Sequence, residues 1–180
     1  KSDRSIDAQL QTAYVTTSIP PSPENTQGFD SALEQICENV AEEIRQGNTV
    51  IVLSDIPDMQ QQKRVLSASL AVRTVDRYLR NAGLRDRASL IVESSEITSA
   101  GEALKTVALG ADAVAIDPRV ALLSMGCTTW EASEPTIPDD AAKRASNIFS
   151  SWHEQIKKLM GGADITDIRN ATANPYLIYS

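Results

Sequence analysis

Cysteine is nearly absent from this sequence of 180 residues, which has only Cys37 and Cys127. Two cysteines so placed exclude a disulfide framework and a four-cysteine metal site, and they suit a reducing compartment. Histidine is scarcer still. His153, the single one, follows Trp152 with no second histidine or cysteine at ligand spacing, so it reads as a partly exposed helix residue. Aromatic residues make up 4% of the chain, and no apolar run approaches the ~20 residues that cross a bilayer. Excess positive charge is also missing. The 17 Lys and Arg against 24 Asp and Glu give a formal net charge of -7, which opposes binding to polyphosphate backbones. Neither nucleic acid nor a membrane is therefore expected as a partner. No Gly-x-Ser-x-Gly elbow surrounds Ser54, so a hydrolase nucleophile is not expected there either.

What is present is a strict alternation of helix and strand signals. Tyr14 to Ile19 is β-branched and stops at Pro20-Pro21, a strand followed by a loop. Leu33, Ile36, Cys37, Val40, Ala41 and Ile44 fall at helical spacing, with Ser31 and Glu34 as a capping box and Gly47 at the C-terminal end. Thr49 to Ser54 is a near-continuous apolar run of the kind buried on both faces of a parallel sheet, and Asp55 marks its carboxyl end. Ala68, Ala71, Val72, Val75, Tyr78 and Leu79 define the next helix, closed by Gly83. A strand from Ala88 to Val92 follows. Ser99 and Glu102 form a second capping box ahead of Leu104, Val107 and Ala108, Gly110 ends that helix, and Ala113 to Ile116 is the fourth strand. Asp117-Pro118 reads as an N-cap with proline at the first helical position, opening a short helix that ends at Gly126.

The fold class implied is α/β: a partial, half βα barrel of about four parallel strands with flanking helices and a C-terminal helical tail. The segments are an N-terminal strand and linker over 1–28, the half-barrel over 29–127, and a linker with helical tail over 128–180. In the tail, Ala145, Ile148, Phe149, Trp152, Ile156, Leu159 and Met160 line one side of a long helix. Lys1 in place of an initiator methionine, with no signal pattern after it, leads to the expectation of a piece of a longer polypeptide. A half-barrel leaves two sheet edges open, and burial against other domains or subunits of a larger enzyme is the expected remedy.

The ordered motifs Phe29-Asp-Ser-Ala-Leu-Glu-Gln-Ile-Cys37, Gly47 through Val52-Leu-Ser-Asp55, Leu70-Ala-Val72, Gly83-Leu-Arg85 and Arg87-Ala-Ser-Leu-Ile-Val-Glu-Ser94 resemble the central domain of the glutamate synthase large subunit. The last third, with Thr106-Val-Ala-Leu-Gly-Ala-Asp-Ala-Val114 and Leu123-Ser-Met-Gly-Cys127, is similar to that enzyme's FMN-binding synthase domain. The resemblance runs roughly from Phe29 to Arg169. It implies a TIM-barrel-like module of a glutamate-forming amidotransferase and oxidoreductase, in the cytoplasm or plastid stroma, whose parent uses FMN and an iron-sulfur cluster.

The departures from the family pattern matter more than the matches. The resemblance places glycine amides around the flavin phosphate, since only glycine lets backbone approach so closely. Here Ser94-Ser95-Glu96 and Asp117 stand instead, adding negative charge where a dianion would sit. Cys127 lacks the two companions an iron-sulfur cluster needs, and residue 1 is not the cysteine nucleophile of a glutaminase. The expectation is a non-catalytic segment with no cofactor and no metal of its own. The alternative is a free-standing degenerate barrel acting in protein-protein assembly.

Candidate ligand-binding residues are the polar strand ends, Ser54, Asp55, Glu93, Ser95, Glu96 and Asp117. Converging carboxylates would suit a divalent cation or a general acid-base pair. Capping by Asp117 and Ser99, with salt bridges or interdomain contacts for Glu93 and Asp55, explains the same residue types without chemistry. Arg85 and Arg87, flanking Asp86, read as a surface charge cluster.

Overall fold

The computed structural model describes residues 11–19, 27–57, 64–126, 137–172, 174 and 177; Cys127 and most of the linker after it lie outside them. A four-stranded parallel sheet forms the centre, ordered β1 (Thr12–Thr16), β2 (Val50–Ser54), β3 (Ser89–Ser94) and β4 (Ala113–Ile116). Between them run α1 (Gln27–Arg45), α2 (Ala68–Asn81) and α3 (Ala100–Ala108), and α4 (Pro118–Ser124) and α5 (Ala141–Gly162) follow. Neighbouring strands that stay sequential can be joined by right-handed crossovers only if the helices share one face of the sheet. Contacts agree: α1 covers β1 and β2, and α2 covers β2 and β3.

Register explains which side chains face the helices. Val15, Leu53, Val92 and Val114 lie in one row across the sheet, and Ala13, Ile51 and Leu90 in another two residues back. These rows meet Ile36, Val40 and Ile44 of α1 and Val72, Val75 and Leu79 of α2 to make the main core. Fully burying each such side chain is worth about 1.5–3 kcal/mol. On the opposite face the row is Tyr14, Val52, Ile91 and Ala113, in which Val52 is buried. Tyr14, on the edge strand, is 71% exposed.

Several boundaries differ from the sequence reading. The first strand ends at Thr16, and Ser18 instead makes an isolated antiparallel bridge to Val65. Helix α1 begins at Gln27, so Ser31 and Glu34 lie inside it and form no capping box. The box at Ser99 and Glu102 is real: Ser99 Oγ accepts the Glu102 N–H at 3.2 Å, and Glu102 Oε2 accepts the Thr98 N–H at 2.8 Å. Burial pushes the Glu102 carboxyl up, but the Thr98 and Ser99 donors outweigh it and hold it below its ordinary value.

Arg85 is not part of a surface cluster. Its Nε donates to Asp76 of α2 at 2.7 Å, and its other nitrogens reach the Ala88 carbonyl at 3.0 Å, the Gly110 carbonyl at 3.0 Å and Asp112 at 2.8 Å. Asp112 also accepts the Leu90 N–H at 2.8 Å. One guanidinium thus ties α2, the entry to β3 and the α3–β4 turn together at the amino-terminal edge of the sheet. Burial lowers the affinity of Arg85 for its proton, but Asp112 and Asp76 more than offset this. The turn itself demands glycine. Gly110 has φ +126, and a Cβ there would sit 2.5 Å from Asp76 Cβ.

The tail packs on the outside of α3. Leu104, Ala108, Ile165, Ala171 and Leu177 form a second small core, joined by Ile156 and Met160 of α5. Phe149 and Leu159 do not belong to this face; they are 53% and 43% exposed.

Candidate functional site

In a parallel sheet, working residues gather where the strands end, because the loops beyond the carboxyl edge are free of core packing. Here that edge carries Ser54 and Asp55 after β2, Glu93 to Glu96 at the end of β3, and Asp117 after β4. Ser54, Asp55, Ser94 and Asp117 are buried, Glu93 and Ser95 are half-buried, and Glu96 is exposed. The structure divides these carboxylates among separate tasks.

Asp55 turns toward β3. Ser94 Oγ donates to Asp55 Oδ2 at 2.6 Å, the Ser95 N–H donates to Oδ1 at 3.1 Å, and Ser95 Oγ lies 3.5 Å from Oδ2. Ser94 Oγ in turn accepts the Glu96 N–H at 3.0 Å. The two amides that an incoming anion would use after β3 are therefore already engaged.

Glu93 and Ser54 pair on the face of the sheet opposite α1 and α2, with Ser54 Oγ donating to Glu93 Oε2 at 2.6 Å. Glu96 reaches a different element. Its Oε2 accepts the Ala68 N–H at 2.9 Å and the Ser67 hydroxyl at 3.2 Å, so it caps α2 from 28 residues downstream. Ser67 occupies the N-cap position but makes no capping bond of its own. A carboxylate here also meets the positive end of the helix dipole. Asp117 directly precedes α4, and its carbonyl accepts the Ala121 N–H at 3.1 Å.

Among the described residues, Glu93 and Asp55 thus bond to serines, where salt bridges or interdomain contacts were expected. No group of three His, Cys, Asp or Glu among the described residues converges as a metal would require. His153 is exposed on α5, as its spacing suggested. Sequence reading missed Ser67 and Thr17 as parts of this region and, while placing Ser94 here, left it out of the candidate ligand-binding residues. Ser94 could have been included from its place one residue past Glu93; Thr17 left no signal, because its part depends on the β1–β2 pairing. Beside the network, an open groove of about 420 Å³ runs between Ala68, Glu96, Ile97, Glu102 and Lys105.

A family model, the glutamate synthase central domain, matches residues 3–170. The chain belongs to that family. Among curated relatives, an archaeal-type NADPH glutamate synthase of Thermotoga sp. (strain RQ2) is 29% identical, with 80% of this chain and 33% of the relative aligned. The archaeal NADPH glutamate synthase of Archaeoglobus fulgidus is 30% identical over 73% of this chain and 30% of its own length. A ferredoxin-dependent glutamate synthase of Pyropia yezoensis is 34% identical over 48% of this chain and 6% of its length. The central-domain chain therefore spans a third or less of these relatives. Among solved structures, a mandelate oxidase complex superposes with a TM-score of 0.54 at 17% identity, covering 92% of this chain and 54% of that one. That likeness establishes the barrel-type fold alone. No helix among the described residues is long and apolar enough to cross a membrane.

Proposed function

We propose that this glutamate synthase central domain is a non-catalytic connector in a larger glutamate-forming amidotransferase and oxidoreductase, and that it carries no FMN, iron-sulfur cluster or metal of its own. The relatives named glutamate synthase are far longer than the matched segment, which supports a place within a multi-part enzyme. The observation that carries the non-catalytic half of the reading is the self-satisfied strand-end edge. Asp55 holds the Ser95 amide, Ser94 holds the Glu96 amide, and Glu96 holds the start of α2.

A flavin phosphate needs several free backbone N–H groups and little negative charge around them. Here those amides are taken, and Asp55, Glu93 and Glu96 surround the place. Like charges about 4 Å apart repel by ~4 kcal/mol at the effective dielectric of a protein surface. The residues present do not fit FMN.

In this reading the module works by position. Its β1 and β4 edges seat against other domains or subunits and hold separate active sites in fixed relation, so that a reactive intermediate released at one is captured at the next. The test compares glutamine-dependent with ammonia-dependent glutamate formation in the parent enzyme. Loosening the module with Leu90→Ala should lower the first relative to the second, whereas Glu93→Gln should leave both intact. Loss of both rates with Glu93→Gln would assign the strand ends to catalysis and overturn the proposal.

A further inference from the structure

The bonds at the ends of β2 and β3 converge on one small anion, and the geometry points to a built-in ligand: the Asp55 carboxylate fills a receptor for a single small monocarboxylate, formed by Thr17, Ser94 and Ser95, which binds free formate once Asp55 is shortened. The inference rests on the connector reading, in which this edge holds no cofactor, and adds what the edge itself recognises.

Three donors already aim at Asp55. The Ser94 hydroxyl at 2.6 Å and the Ser95 amide at 3.1 Å take separate carboxylate oxygens, and the Ser95 hydroxyl stands at 3.5 Å. Such a pattern of hydroxyl and amide donors is how proteins hold a free carboxylate. Asp55 and Ser94 are 2% and 1% exposed, and Ser95 beside them is half-buried.

A fourth group is present and unused. Thr17, 3% exposed, lines the same small cavity as Leu53, Asp55, Val92 and Ser94, and its hydroxyl has no hydrogen-bond partner among the described residues. A buried hydroxyl left without a partner is uncommon and marks a place where something else fits. The cavity is too tight for a water molecule while the Asp55 side chain fills it. Removing that carboxyl group vacates space of formate size. A free formate, not tethered through its own Cβ, can shift to accept from Thr17 as well as from Ser94 and Ser95.

Charge sets the selectivity. Replacing the Asp55 carboxylate by one monoanion leaves the local charge unchanged, whereas a phosphate dianion adds a negative charge beside Glu93 and Glu96. The receptor therefore takes formate and rejects phosphate.

The test is thermal unfolding of the wild-type chain, Asp55→Ala and the double variant Asp55→Ala/Thr17→Val in sodium formate, phosphate or chloride at matched ionic strength. A ligand that binds only the folded state stabilises it, so ~100 mM formate should raise the Tm of Asp55→Ala by several degrees above its value in chloride. Wild type should show no such difference, phosphate should act like chloride, and Thr17→Val should diminish the formate effect. Equal responses to formate and chloride in Asp55→Ala, or an equal formate response in wild type, would overturn the proposal. Should Asp55→Ala be unfolded in chloride, recovery of its helical circular dichroism in formate is the same test. Failure to recover there, with Asp55→Asn still folded, also overturns it. Flavin binding by wild type is a separate outcome that sinks the connector reading and does not alter the rescue result.

Discussion

Arg85 Nε donates to Asp76 Oδ1 at 2.7 Å across nine residues, and the same guanidinium reaches the Gly110 carbonyl 25 residues on. Both side chains of the ion pair are largely buried, at 13% and 11% exposure. Breaking such a pair from one side leaves an uncompensated charge, so Arg85→Ala should destabilise by about 3 kcal/mol, the lower part of the usual range because Arg80 still partners Asp76. Arg85→Lys should rescue little, since an ammonium cannot serve two carboxylates and two carbonyls spread around a planar fork. Urea unfolding measures both.

Two glycines of similar sequence context should respond differently to alanine. A Cβ at Gly83, φ +65, would meet nothing within 4 Å, whereas one at Gly110 would overlap Asp76, which Arg85 holds in place. Gly83→Ala should cost about 1–2 kcal/mol from backbone strain alone. Gly110→Ala should add an overpacking penalty of about 1–3 kcal/mol. The difference in urea midpoint at constant m-value is the readout.

Removing the long-range cap should loosen α2 at its start. Glu96→Gln keeps the shape but loses the charge facing the helix dipole, and Glu96→Ala loses the acceptor for Ala68 N–H and Ser67 as well. Losses of about 0.5 and 1–2 kcal/mol respectively are expected, together with faster amide exchange in the first turn of α2. Equal behaviour of both variants and wild type would remove Glu96 from any capping role.

Cys37 predicts the alkaline response. Burial, helped by the charges of Glu34 and Glu38, pushes its thiol up to about 11 from an ordinary value of 9.0. The folded state thus holds its proton more tightly than the unfolded chain. The resulting stability is fully present below the unfolded pKa and is lost as pH rises toward 11. Relative to Cys37→Ala, the wild-type Tm should fall more steeply over that interval. In a Cys127→Ser background, iodoacetamide should label Cys37 at neutral pH only after denaturant is added.

Most of the fold was legible in the sequence because its punctuation is local. Gly47, Gly83, Gly110 and Gly126 each take a positive φ after a helical stripe, and the apolar runs of β2 and β3 leave little choice but strands buried in a parallel sheet. What escaped was non-local. Asp86 suggested a nearby partner for Arg85, yet its true partners, Asp76 and Asp112, come together only through folding. The strand-end carboxylates were visible as a set, but their division among Ser54, Ser94 and the start of α2 depends on the register of β2 against β3. The Ser31 capping box failed because the helix starts earlier than its apolar stripe.

The most direct test of the central claim is a titration of the purified chain with FMN, followed by flavin fluorescence and by Tm. An edge whose amides are already held by its own carboxylates and hydroxyls predicts unquenched flavin fluorescence, an unchanged Tm and a colourless preparation. Saturable binding, with a Tm that climbs as FMN is added, would contradict it.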